Sequence, residues 1–162
     1  MNTENETRKH IMDVAKYLNL FSIELLKRVC VHDKSKLEEP EKSVFDKYTE
    51  KLSGLTYGSE EYKKCLDEMK PALQHHYANN KHHPEFNDIN GFSFQTLNDP
   101  IRSMDLFDIV EMLCDWMSAV KRHDNGNIYK SIEINEKRFG INEQISALFR
   151  NTVAVLQEIE KE

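Results

Sequence analysis

The chain has no glycine-rich phosphate cradle among its five glycines, so nucleotide binding of the P-loop type is not indicated. Its three cysteines, Cys30, Cys65 and Cys114, are odd in number and share no CxxC spacing, which argues against both a disulfide framework and a thiolate metal site. They read as reduced, small hydrophobes. No apolar run approaches membrane-spanning length, and the segment Met1 to Lys9 is polar rather than a signal peptide, so the expected location is the cytoplasm. A long Lys/Arg block and an aromatic-basic repeat are also missing. With 22 basic against 28 acidic residues the net charge is −6, the wrong sign for a surface that binds duplex nucleic acid. A small phosphorylated ligand stays compatible with that charge where a bound metal offsets it.

What remains is a soluble, helical composition. At 162 residues the chain suits one domain, 1–162, with a proper core; 39% apolar and 31% charged residues leave broad wet faces around it. From Arg8 to Val31 apolar residues recur at helical spacing through Ile11, Val14, Leu18, Phe21, Leu25 and Val29, with no Pro or Gly between. Glu39-Pro40-Glu41 signals a second helix carrying Val44, Phe45, Tyr48 and Leu52, ended by Gly54 and Gly58. A third begins near Ser59 and runs through Met69, and Pro71 either kinks it or starts a fresh helix. Pro84 to Asn98 is irregular, with turn signals and the anchors Phe86, Ile89, Phe92 and Phe94, and reads as a folded loop. Asp99-Pro100 opens the most apolar helix, Ile101 to Val120. Asp124 to Asn127 ends it. A shorter helix to about Phe139 follows, and after Gly140 a last one from Asn142 to about Glu158. The expected fold is an all-α, single-domain helical bundle.

Four groups of histidines and acids stand out against this background. His32 and Asp33 are adjacent at a helix end, which lets both reach one ion only from the last turn, where their side chains diverge by roughly 100°. Taken alone, the dipeptide reads more simply as two caps, His32 at a helix C-terminus and Asp33 at the start of the next element. Four of the seven histidines, His75, His76, His82 and His83, fall between residues 75 and 83. His76 and Asn80 share a helical face, and the helix must yield before Pro84, which allows His82 or His83 to turn back toward the same cavity. A surface cluster is the plain alternative. Glu111 and Asp115 lie four apart in the most apolar helix, where burying carboxylates costs several kcal/mol unless cations or hydrogen bonds compensate. Asp108 lies on their side, while Asp105 reads as a solvent acid of the first turn. A shared metal ion is one compensation, and pairing with histidines or arginines is the other. Imidazole and carboxylate are ligands of Zn, Fe, Mn or Mg, and imidazole-rich ligation argues against Mg alone.

His10-Ile11, His32-Asp33-Lys34-Ser35-Lys36-Leu37, His76 through Asn80 to His82-His83-Pro84-Glu85, and Glu111 to Trp116 together resemble an uncharacterised family of small phage and bacterial proteins. That family is similar in pattern to the HD-domain metal-dependent phosphohydrolases. The resemblance spans roughly residues 8 to 139 and implies an HD-domain-like bundle. It implies His32, Asp33 and Asp115 as core metal ligands, His76 and His82 or His83 as further ligands to a first or second ion, and Lys36 as a phosphate contact. One departure concerns His10, the counterpart of an early histidine in HD enzymes. On one straight helix it stands about 33 Å from His32, too far to share an ion.

The leading expectation is a metal-dependent phosphohydrolase acting on a nucleotide or another small phosphate ester. Divalent ions held by His32, Asp33, His76, His82, His83 and Asp115 would acidify water and polarise the phosphoryl oxygen, and Glu111 would take the proton or support a ligand. Asp33 and Lys36 complete the catalytic set, with Lys36, Lys81 or Arg102 offsetting charge on the phosphoryl oxygens. The rival expectation is a non-catalytic, metal-stabilised factor that binds a small ligand or a protein. A third is a structural helical protein whose histidines pair with acids.

Overall fold

A computed structural model describes residues 2–56, 58–86, 100–123 and 125–162. Among these are seven α-helices and two short 3-10 helices, with no strand. The chain divides into two compact units, Met1–His32 and Asp33–Glu162.

The first unit is essentially one helix, α1 (Thr3–Val29), followed by a turn. It starts earlier than the apolar pattern because Asn2 caps it, its side-chain oxygen accepting from the Glu4 N–H at 3.1 Å. Glu4 and Glu6 in the first turn and Lys27 and Arg28 in the last complement the helix dipole. The helix runs unbroken through Asn19 to Ser22. His10 and Val29 are thus about 28 Å apart along its axis, which keeps His10 from sharing an ion with His32.

The second unit opens with a 3-10 turn, Lys34–Leu37, and continues through α2 (Glu41–Ser53), α3 (Glu60–Glu68) and α4 (Lys70–Asn79). Pro71 sits in the first turn of α4, so a fresh helix begins there rather than a kink. Tyr48, Cys65 and Met69 form the buried centre of this part, with Val44, Phe45, Leu52, Leu55 and Leu73 packed around them. Glu41 shares the buried face of α2 and is 0% exposed.

A second 3-10 turn, Pro100–Ser103, precedes α5 (Leu106–Val120), α6 (Ile128–Phe139) and α7 (Glu143–Ile159). The helix expected from Asp99-Pro100 therefore begins at Leu106. Asp105 and Asp108 form a reciprocal capping box, each carboxylate accepting from the other's backbone N–H at 2.9 and 3.0 Å, and this fixes the start. Asp105 is thus an exposed acid, as expected, that also caps the helix, and Asp108 is buried. Asp99, Asp124 and most of the loop expected over Pro84 to Asn98, including Ile89, Phe92 and Phe94, lie outside the described residues. Gly126 permits the turn into α6, because a Cβ there would stand 1.8 Å from the Val120 carbonyl oxygen. Gly140 ends α6 in the left-handed region, φ 64°.

Helices α5 to α7 enclose the larger core, in which Trp116 stacks on Phe139 and meets Phe149 edge-on. No helix of the described residues is long and apolar enough to cross a membrane. Ile132 is 0% exposed at the centre of this core. Ile132→Ala should cost about 2–5 kcal/mol in urea-induced unfolding; a loss below about 1 kcal/mol would contradict the packing described.

Candidate metal centre

The site assembles where α4 ends. Asn80 leaves the helix with extended backbone, φ −127° and ψ 106°, and its side chain donates back to the His76 carbonyl at 2.8 Å. The following residues turn tightly, the His83 N–H donating to the Asn80 carbonyl and the Phe86 N–H to the His83 carbonyl. Helix therefore presents His76, and the turn returns His82 and His83 to it. Asp33 arrives from the other side at the start of the Lys34–Leu37 turn. It is the sole non-glycine residue with positive φ among the described residues, at 55°. Aspartate tolerates this left-handed conformation better than most residues, yet the position still costs energy that its surroundings must offset.

One carboxylate oxygen and three imidazole nitrogens, from Asp33, His76, His82 and His83, lie within 4.8 Å of one another. Asp33 Oδ1 stands 3.3 Å from His76 Nε2 and 3.5 Å from His82 Nε2. His76 Nε2 and His83 Nε2 are 2.9 Å apart. Bonds of about 2.0–2.1 Å to a zinc-sized ion place neighbouring donors roughly 3.3 Å apart, so these spacings suit one cation between them. His76 and His82 are each 1% exposed. Mutual proximity of such buried rings is costly if they are charged and favourable if they share a cation.

The electrostatics favour ligand-ready forms. Burial pushes the His83 imidazolium down to about 2, with His82, His76 and Lys36 adding repulsion, so this ring is neutral at pH 7. Burial opposes ionisation of Asp33, but contact with the His76 ring and the Lys36 ammonium outweigh it and hold the carboxyl well below the usual range. Lys36 donates to Asp33 Oδ2 and also lies over the Phe45 ring at 5.2 Å.

The remaining sequence candidates divide clearly. Glu111, on α5, has Oε1 3.2 Å from His82 Nδ1, the ring nitrogen opposite the one facing Asp33. Asp115 has a carboxylate oxygen within 4.8 Å of one on Asp33. His32 is the final residue of the first unit, and the centre described here is built from the second alone. His75 pairs with Glu41 rather than with Asp33, its Nδ1 2.7 Å from Oε1. Lys81 and Arg102 are both exposed. Of the cysteines, Cys65 is buried as expected, whereas Cys30 and Cys114 are exposed and all three are free.

Sequence reasoning passed over Glu41, Ser35 and the hydrogen-bonding use of Asn80. Glu41 Oε2 is 3.0 Å from His76 Nδ1 and accepts from Ser35 Oγ at 3.0 Å. The signal was present: Glu41 continues the face of Val44, Phe45, Tyr48 and Leu52 by one helical turn. An acid on an apolar face asks for a partner there as much as it does at Glu111.

Across residues 1–162 the chain matches the model of a family of unknown function, DUF5662. It belongs to that family. No curated protein and no solved structure matches it. Membership of DUF5662 agrees with the resemblance to an uncharacterised family and assigns no activity, so the chemistry must be argued from the site.

The shifted groups predict the response to acid. Between about 2 and the ordinary 6.5, the unfolded chain takes up a proton at His83 that the folded chain refuses, so stability is lost as pH falls through 6.5. Asp33 adds a loss of the same sign below its ordinary 3.8. The melting temperature of metal-free protein should therefore fall from pH 7 to pH 5, with a shallower slope in His83→Gln. Equal slopes would contradict a buried neutral His83.

Proposed function

We propose that this protein is a metal-dependent phosphohydrolase whose substrate is a nucleotide or another small phosphate ester. The convergence of Asp33 with His76, His82 and His83 is the observation that supports it. Three imidazoles and a carboxylate suit a divalent Zn, Fe or Mn better than Mg. A divalent ion held there would supply Lewis-acid polarisation of a phosphoryl oxygen and a more acidic water.

The chain's own groups divide the remaining work. Asp33 offers Oδ1 toward the histidines while Lys36 holds Oδ2, which fixes the carboxylate plane. Lys36 also brings positive charge beside the centre, where an incoming phosphoryl group gathers negative charge. Of the two roles open to Glu111, base or support, its contact with His82 Nδ1 favours support, because that bond aims Nε2 at Asp33. Asp115, with a carboxylate oxygen within 4.8 Å of one on Asp33, adds negative charge beside the proposed centre.

A second reading has an observation of its own. Four protein donors complete a tetrahedral shell, the mark of a closed structural zinc site, and a non-catalytic metal-stabilised binding factor needs no open position. Cobalt substitution separates the two. Weak visible bands of a five- or six-coordinate ion support hydrolysis, and the intense bands of a four-coordinate ion support the closed site.

Purified protein should carry close to one divalent ion per chain by elemental analysis and release phosphate from members of a panel of nucleotides, cyclic nucleotides and phosphomonoesters. Loss of a supporting group around a metal ligand costs roughly 10–100-fold, so His76→Ala and His82→Ala should lower metal affinity and rate by more than that. Stoichiometric metal with no hydrolysis across the panel would defeat the catalytic proposal, and absence of metal would defeat both readings.

A further inference from the structure

We infer that Glu41 is a positioning residue that sets the tautomer of His76 and so aims its Nε2 lone pair into the metal centre. The inference rests on the metal-binding reading above and assigns a residue that chemistry at the centre would never touch.

The available protons decide the tautomer. Around His76 Nδ1 stand three polar atoms: Glu41 Oε2 at 3.0 Å, Asn80 Nδ2 at 3.0 Å and Ser35 Oγ at 3.3 Å. The Asn80 amide has two hydrogens. Its shortest contacts are the His76 carbonyl at 2.8 Å and Ser35 Oγ at 2.9 Å, which use both. Ser35 has one hydroxyl proton, and Glu41 Oε2 at 3.0 Å is an acceptor for it. Neither Asn80 nor Ser35 retains a hydrogen for Nδ1. A carboxylate only accepts, so the proton between Nδ1 and Oε2 belongs to the ring. Protonated at Nδ1, a neutral His76 carries its lone pair on Nε2, the nitrogen 3.3 Å from Asp33 Oδ1 and 2.9 Å from His83 Nε2.

The geometry around Glu41 fits this single purpose. It is 0% exposed, and its other oxygen accepts from His75 Nδ1 at 2.7 Å, so both oxygens are held by rings from adjacent positions of α4. A buried carboxylate is a poor way to add stability, since well-packed apolar groups of similar volume often replace buried ionic groups at no loss. Fixing a ligand's tautomer and raising its basicity is the recurring use of a carboxylate behind a metal-binding histidine. Glu111 stands in the same relation to His82, so two of the three rings are backed by acids, one from α2 and one from α5.

The test reads the ring directly. In metal-free wild-type protein with 15N-labelled histidine, long-range proton–nitrogen correlation spectra should show His76 protonated at Nδ1 and bare at Nε2. The opposite tautomer overturns the inference without any variant being made. Glu41→Met removes the acceptor at nearly constant volume. It should mix the His76 tautomers and weaken zinc binding by tenfold or more, with some loss of metal-free melting temperature because Ser35, His75 and His76 lose their shared acceptor. A smaller affinity loss, or a lowered melting temperature with unchanged affinity, assigns Glu41 to structure and overturns the inference. Glu41→Gln serves as the second variant and should weaken zinc binding in the same direction. Wild-type protein that takes up no zinc removes the metal reading and this role with it, whereas zinc uptake indifferent to Glu41 removes the role alone.

Discussion

The carboxylate of Asp33 is the constraint around which the second unit's polar interior is arranged. It is held in left-handed backbone at the mouth of a 3-10 turn. One oxygen faces two nearly inaccessible imidazoles, and the other takes the Lys36 ammonium. An apolar interior tolerates such groups only where charge and hydrogen bonds are matched. Everything nearby follows from that requirement. Lys36 returns toward Asp33 because the turn is one of three residues per repeat, and α4 must stop at Asn79 so that two further histidines can face the same point.

Matching continues one layer outward. Glu41 and Glu111 stand behind His76 and His82, each bonded through Nδ1. Acids thus sit on the inward sides of two helices, and each is compensated by a ring whose far nitrogen points at Asp33. A cation at the centre would join both layers in one network, balancing the negative charge of the acids with its own. Loss of one member of such a network leaves several others unmatched, and for that reason substitutions within it should not be additive.

The sequence revealed its helices well and its boundaries less well. Apolar periodicity placed α1, α2, α6 and α7, and Gly140 marked the end of α6 as expected. The start of α5 was misjudged because Asp99-Pro100 and Asp105 to Asp108 both carry start signals, and only the second pair closes a capping box. Within the site, Asp33, His76, His82 and His83 were legible because four histidines within nine residues and an adjacent His-Asp pair are unusual. Glu41 was hidden by its setting beside Pro40, where an acid in a first helical turn has an ordinary explanation in the helix dipole. Its partners are 34 and 35 residues away, a separation that no local pattern encodes.

The central claim is that one ion sits among four named donor atoms. The most direct measurement is a crystal structure of metal-loaded protein with anomalous scattering recorded above and below the metal's absorption edge. The account predicts a single strong anomalous peak bonded to Asp33 Oδ1 and to the Nε2 atoms of His76, His82 and His83, with Glu41 and Glu111 outside bonding distance. A peak bonded to other groups, or rings in metal-loaded protein that pair only with acids around no ion at all, would contradict it.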